Sequence, residues 1–161
     1  MLGAAVASVI LVSCQPSDDP VPETVSTPIL DCDGTMPIGP QMISDPSFAK
    51  FAAGLQLPPH VQIASGGARV SPAHPDAMDF SLDLCVPGSN GLPDLLAVAT
   101  EIAYALKRHP LGSRTAALSI ARVGPDAERR MEVRDPDFRN HPWDRTASGE
   151  AELKRWEVVS E

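Results

Sequence analysis

This chain of 161 residues has few aromatic side chains and few basic ones. Its two Trp, one Tyr and four Phe make up 4% of the sequence, which leaves little material for stacking against bases or for large interface hot spots. Thirteen Lys and Arg stand against 21 Asp and Glu, and the net charge is −8. No basic stripe is present that could follow a phosphate backbone. We therefore do not expect nucleic acid as a partner.

Motifs for a cofactor or a metal are also missing. The chain has no Gly-x-Ser-x-Gly elbow, no glycine-rich phosphate loop and no Cys-x-x-Cys pair of the kind that binds zinc. The histidines at positions 60, 74, 109 and 141 share no ligand spacing. Asp79, Ser81 and Asp83 could offer oxygen ligands to calcium, but such alternation is also typical of a solvated sheet face. We therefore expect no cofactor and no metal, and the sequence does not predict an enzyme.

Long hydrophobic runs are the third feature that the chain lacks. Residues 2–13 are apolar or small at every position, yet this run is shorter than the roughly 20 residues needed to span a bilayer. It ends in Leu11-Val12-Ser13-Cys14, and a polar stretch rich in proline follows. An uncharged run that closes on small residues is typical of a secretory signal. The usual basic start is missing, since no Lys or Arg precedes Lys50.

Leu11-Val12-Ser13-Cys14 resembles the lipobox of bacterial lipoproteins, which consists of Leu, a small residue, Gly, Ala or Ser, and the Cys that receives the lipid. The resemblance implies that residues 1–13 are a signal peptide and that Cys14 carries the palmitate-containing anchor. It also implies an extracytoplasmic protein of the cell envelope that is bound to a bacterial membrane through lipid. Residues 14–26, with their prolines and aspartates, are then expected to be a lipidated tether.

Two further cysteines, Cys32 and Cys85, remain once Cys14 is assigned to the lipid. In an oxidising compartment an even pair is most simply interpreted as a disulfide bond, and two unpaired thiols are the alternative. The loop between them would span about fifty residues, for which the chain-entropy model gives about 4 kcal/mol of stabilisation.

Residues 27–135 show the periodicities of a single small domain with helices and strands. Asp45 followed by Pro46 is typical of a helix start, and Gly54 of its end. Alternating apolar residues predict strands, and apolar residues at three- and four-residue spacing predict helices. The predicted elements are a strand at 28–32, a helix from 46, a strand at 61–70 interrupted at Gly66 and Gly67, a strand at 78–86, a helix at 93–108, a strand at 116–123 and a hairpin strand at about 129–134.

This order predicts an α+β fold, a two-layer sandwich with the ferredoxin-like βαββαβ arrangement plus an extra C-terminal hairpin strand. Residues 136–161 are predicted to be a charged, partly ordered tail in which Leu153 and Trp156 share one side of a short helix. Because the helices cover one face of the sheet, the other face stays open to an envelope protein partner or to self-association. The expected function is a non-enzymatic binding or envelope-structural module.

An alternative function comes from Asp31 and Asp33 within Ile29-Leu30-Asp31-Cys32-Asp33-Gly34-Thr35. These seven residues resemble motif I of the haloacid dehalogenase superfamily. In that family the position of Asp31 is the nucleophile that forms an aspartyl-phosphate, and the position of Asp33 is the acid and base. The resemblance implies a magnesium-dependent phosphatase, in which both carboxylates share a metal-bound phosphate.

Overall fold

A computed structural model of the chain describes residues 39–86, 91–123, 130–147 and 149–160. Within these ranges the fold is of the α+β class and contains one five-stranded sheet. Short 3₁₀ turns at Pro40–Met42 and Pro110–Arg114 accompany the regular elements. In chain order these elements are α1 (Pro46–Ala53), β1 (Gln62–Val70), β2 (Met78–Cys85), α2 (Leu92–Arg108), β3 (Thr115–Val123), β4 (Met131–Asp135), α3 (Gly149–Leu153) and β5 (Glu157–Ser160).

The strands are arranged in the sheet in their order along the chain, β1-β2-β3-β4-β5. β2 and β3 are parallel and are joined through α2, whereas the other neighbouring pairs are antiparallel. The predicted hairpin strand is therefore confirmed as β4. The ferredoxin-like arrangement is not confirmed, because it places a first strand between the strands that correspond to β2 and β3, and here these two are bonded to each other directly. The strand predicted at 28–32 lies outside the described residues.

Both predicted main helices are confirmed, and each packs an apolar side on the same face of the sheet. The Phe48 N–H donates to the Asp45 carboxylate at 2.7 Å, and Pro46 occupies the first turn of α1, so the cap forms as predicted. Phe48 then stacks on Phe80 of β2 with ring centroids 4.3 Å apart. In α2 the buried side chains recur at three- and four-residue spacing, for example Leu95, Val98, Ala99 and Ile102.

β1 is continuous through the two glycines at which an interruption was predicted. The irregularity lies before the glycines, between Ile63 and Ser65, where the register of β1 with β2 shifts and a bulge forms. Gly66 serves close packing instead, since a Cβ there would lie 2.7 Å from the Ser81 carbonyl oxygen. The adjacent outer edge of β1 is covered by the segment that precedes α1, through a parallel bridge between Ile43 and Gly66.

The C-terminal residues 136–147 and 149–160 pack into the domain, in contrast to the predicted tail. Phe138, Trp143 and Trp156 are 0%, 1% and 6% exposed and belong to the same core as the helices. Leu153, which was predicted to share a side with Trp156, is instead 41% exposed. Lys107 of α2 fastens this segment, because its ammonium donates to the Phe138 and Arg139 carbonyls at 2.9 Å each.

Candidate functional site

Four residues to which the sequence analysis assigns a role lie outside the described residues. They are Cys14, the predicted lipidation site, Cys32, one half of the predicted disulfide, and Asp31 and Asp33 of the phosphatase hypothesis. The lipid anchor, the disulfide and the phosphatase activity therefore remain predictions.

Cys85, the other half of the predicted disulfide, ends β2 on the sheet face that the helices do not cover. It is 4% exposed and packs against Ala64 and the partly buried Val123. The described chain begins close by, because the Gly39 N–H donates to the Ala64 carbonyl at 3.1 Å.

The face opposite the helices, which we call the open face, is made of small side chains with charged ones between them. On β2 the residues Asp79, Ser81 and Asp83 alternate with the buried Phe80, Leu82 and Leu84, as predicted. Their partners across the sheet on this face are small or charged as well: Ser65, Gly67 and Arg69 of β1, Ala117, Ser119 and Ala121 of β3, and Glu132 and Arg134 of β4.

Asp79 departs from the solvated carboxylate expected at its position. The residue is only 7% exposed, and two arginines, one from β1 and one from β4, flank one of its oxygens. Asp79 Oδ2 lies 3.6 Å from Arg69 and 3.5 Å from Arg134, distances too long for good hydrogen bonds. Asp79 Oδ1 is buried and has no hydrogen-bond partner, and the same is true of Arg134 Nε. A buried carboxylate oxygen and a buried guanidinium nitrogen thus lie on one face without satisfied hydrogen bonds.

These groups line a shallow depression of about 250 Å³, the Asp79 cleft. Its floor is small and polar, and its sides carry two acidic and two basic residues. The lining residues are Gly67, Ala68, Arg69, Asp79, Phe80, Ser81, Ser119, Glu132 and Arg134. Because the two signs of charge are present in equal number, the cleft suits a ligand that is polar on both sides and neutral overall.

Asp83, two positions after Ser81 on the same strand, provides a contrast to Asp79. Its Oδ2 accepts a hydrogen bond from the Ser65 hydroxyl at 2.5 Å, and its Oδ1 accepts one from Arg130 at 3.2 Å. Arg130 also lies 3.5 Å from Glu132. Asp83 therefore has partners for both oxygens and stays outside the Asp79 cleft. Asp79 and Asp83 lie on the same strand, but the protein provides hydrogen-bond donors for both oxygens of Asp83 and leaves one oxygen of Asp79 without a donor.

A second cluster, which the sequence analysis missed, surrounds Asp135 at the end of β4. This carboxylate is fully buried and accepts from Trp143 Nε1 at 2.8 Å, His141 Nδ1 at 2.9 Å and the Asp137 N–H at 3.0 Å. All three donors come from the C-terminal segment, so Asp135 fastens that segment to the sheet. We assign this cluster a structural role, because a buried carboxylate needs such donors to remain in the core.

A third buried contact joins α2 to α3. The Tyr104 hydroxyl donates to Glu152 Oε2, and the two residues are 5% and 3% exposed. Burial raises the pKa of Tyr104 to about 12, and the hydrogen bond to the Glu152 carboxylate adds to the shift. This contact also holds the C-terminal segment and lies on the helical side, away from the open face.

Within the described ranges the structure provides neither a cluster of metal ligands nor a membrane-spanning helix. No group of three or more His, Cys, Asp or Glu there is placed to hold a metal ion. No helix in the same ranges combines the length and the apolar character needed to cross a membrane. The carboxylates of β2 that could have offered oxygens to calcium are paired with arginines instead.

Comparison with protein families, with curated proteins and with solved structures found no match to this chain. Its function can therefore be inferred only from its own residues. Of the charged clusters above, those at Asp135 and Tyr104 are buried and join elements of the fold to one another. The Asp79 cleft alone among these three combines exposure on a face with unsatisfied polar atoms, and it is our candidate functional site.

Proposed function

We propose that this chain is a non-enzymatic binding module that is displayed on a bacterial membrane and binds an envelope protein through the open face. The observation that carries the proposal is the Asp79 cleft, where a buried carboxylate oxygen and a buried guanidinium nitrogen lack partners. Leaving such groups unpaired costs about 1–3 kcal/mol each. A partner that induces these side chains to turn towards the cleft and supplies the missing hydrogen bonds recovers this free energy.

The composition of the open face supports binding rather than catalysis. Its charges are arranged as neighbouring acidic and basic pairs, which favour recognition of a complementary surface. The small residues Gly67, Ser81 and Ser119 let another backbone or a polar group approach the sheet closely. Among the described residues, the helices and the C-terminal segment cover the other face, and the open face is the side of the sheet that they leave to a partner.

The anchored location rests on the sequence. The apolar run of residues 2–13 and the lipobox-like end at Cys14 favour export and lipidation. Two or more acyl chains bind a membrane stably, since each buried methylene contributes about 0.8 kcal/mol. Residues 14–26 would then separate the domain from the membrane surface.

The proposed disulfide between Cys32 and Cys85 fits this location and the start of the described chain. Gly39 lies next to Ala64, and Ala64 packs on Cys85. Cys32 precedes Gly39 by seven residues, and an extended chain covers about 3.3–3.6 Å per residue, or roughly 23–25 Å in total. Cys32 can therefore reach Cys85 without any rearrangement of β1 or β2.

A photo-crosslinking experiment in the native bacterium tests the proposed function. A benzophenone amino acid replaces Arg69, whose side chain is 68% exposed at the rim of the cleft, and in a matched strain it replaces the exposed Lys50 on α1. We expect a discrete protein adduct on illumination of the Arg69 strain and none in the Lys50 strain. Equal adducts at both positions, or no adduct at either, would show that the open face does not bind a protein partner.

The phosphatase alternative depends on Asp31 and Asp33 alone. It predicts magnesium-dependent release of phosphate from an aryl phosphate by the purified chain, and loss of that activity in Asp31→Asn. Phosphate release that is absent, or that persists in Asp31→Asn, would exclude it.

A further inference from the structure

We propose that the Asp79 cleft is a binding site for a small α-amino-acid zwitterion, whose ammonium donates to Asp79 and whose carboxylate accepts from Arg134. The inference goes beyond the proposed function, because it concerns the same face but a free small molecule in place of a protein partner. It rests on the geometry of the cleft, and it predicts binding of the small molecule by itself.

The acceptor half of the site is the unpartnered oxygen of Asp79. The Asp79 side chain is 8% exposed, lines the cleft and leaves Oδ1 without a hydrogen bond. The two arginines reach only Oδ2, and only at 3.5–3.6 Å. An ammonium group in the cleft provides the donor that is missing, once the side chain turns Oδ1 from its buried position towards the ligand.

The donor half of the site is Arg134. Its Nε is buried without a partner, and the guanidinium lies on the same wall as Asp79. Arginine is well suited to bind a carboxylate, because its planar group presents several N–H donors. Arg69 at the rim adds a second positive charge near the same position.

The spacing of these groups selects a ligand whose two charges are close together. Asp79 Oδ2 and the Arg134 guanidinium are 3.5 Å apart, so a molecule that pairs with both residues must carry its ammonium and carboxylate close together, as an α-amino acid does on a single carbon atom. The cleft of about 250 Å³ is also below the range of about 300–1,000 Å³ that accepts drug-sized ligands. Both limits favour a free amino acid with a small side chain over a larger molecule.

Binding is tested by titrating the ¹⁵N-labelled full-length chain with four probes and following the backbone amide signals of β2 and β3. L-Alanine carries both charges, N-acetyl-alanine lacks the ammonium, alanine amide lacks the carboxylate, and alanyl-alanine separates the two charges. We expect saturable shifts at residues of the Asp79 cleft with alanine, and at least tenfold weaker binding of the other three. If alanine gives no saturable shift, or if the probes bind equally, the proposal is wrong.

Substitutions of Asp79 and Arg134 test whether each residue binds its half of the ligand. Asp79→Asn and Arg134→Gln are each expected to weaken alanine binding at least tenfold. Asp83→Asn is the matched control, because Asp83 lies on the same strand and pairs with an arginine but is outside the cleft, and it should bind alanine as the wild type does. Arg134 is at the surface, with its side chain 34% exposed, so Arg134→Gln keeps the test valid if Asp79→Asn fails to fold. Unchanged binding in Arg134→Gln would overturn the assignment.

The experiment separates this inference from the proposed function. Alanine binding without a crosslink at position 69 would support the site and overturn the protein partner. A crosslink at position 69 without alanine binding would overturn the zwitterion site and support the partner.

Discussion

Replacement of Tyr104 by Phe isolates the buried hydrogen bond that joins α2 to the C-terminal segment. Phe keeps the ring, which packs edge-on against Trp143 at 6.0 Å, and removes only the hydroxyl. Glu152 is 3% exposed and its Oε1 already has no partner, so water cannot easily replace the lost donor at Oε2. A buried acceptor without a partner costs about 1–3 kcal/mol, and more when it is charged. We therefore expect Tyr104→Phe to lower the free energy of unfolding by about 2–3 kcal/mol.

Urea unfolding followed by tryptophan fluorescence measures this loss, because Trp143 and Trp156 are buried in the same segment. In a thermal scan the loss corresponds to about 4–12 °C, at about 2–4 °C per kcal/mol for a domain of this size. The double variant Tyr104→Phe/Glu152→Leu removes the carboxylate as well, so we expect it to be at least 1 kcal/mol more stable than the sum of the two single losses. If Tyr104→Phe is neutral and the two changes are additive, the buried pair does not stabilise the fold as we argue.

Three further predictions concern pH, a helix cap and a close packing contact. Because the folded state raises the pKa of Tyr104 from 10 to about 12, the stability that this shift contributes is complete below pH 10 and is lost as the pH rises towards 12, by at most about 3 kcal/mol. Tyr104 is the single tyrosine, so phenolate absorbance measures its titration directly. A midpoint near the ordinary value of 10 in the folded protein would contradict this prediction. Asp45→Ala removes the cap of α1 and should cost about 1 kcal/mol in urea unfolding, whereas no change would mean that the cap is dispensable. Gly66→Ala should lower the free energy of unfolding by about 1–3 kcal/mol, because its Cβ would lie 2.7 Å from a backbone oxygen. Gly67→Ala should lower it much less, because the nearest atom is a serine hydroxyl at 3.3 Å. Equal stability of the two variants would contradict the packing argument.

The individual elements could be predicted because their signals are local in the sequence. Asp45 and Pro46 mark the start of α1 within two residues, and the alternation from residue 78 to residue 86 defines β2 without reference to any other strand. The strand order could not be predicted in the same way. Which strand lies beside β2 depends on how α2 packs back on the sheet, and several arrangements share the same order of helices and strands. The predicted interruption at Gly66 failed because a glycine that allows close packing looks like a turn residue in the sequence.

The C-terminal segment was missed for a related reason. Phe138 and Trp143 lie in irregular chain with no period, so nothing local marks them as core residues. They are buried because Asp135 accepts hydrogen bonds from this segment and Lys107 donates to it. Such contacts between distant elements leave no pattern that a sequence window can detect.

The candidate site was predictable in part. The alternation of β2 correctly places Asp79 on the face away from the helices, but its burial depends on Arg69 and Arg134. These arginines come from two other strands, and Arg134 is 55 residues away in the chain. Arg130 pairs with Glu132, which is close to it in the sequence, whereas Arg134 lies beside Asp79.

The central claim, that this chain is an anchored binding module outside the cytoplasm, is tested most directly by the intact mass of the protein extracted from bacterial membranes. Our account predicts a chain that begins at Cys14, carries the mass of a diacylglyceryl group, and is two hydrogens lighter because Cys32 and Cys85 are bonded. A chain that still begins at Met1, is recovered without lipid and reacts with a thiol reagent at every cysteine would contradict it.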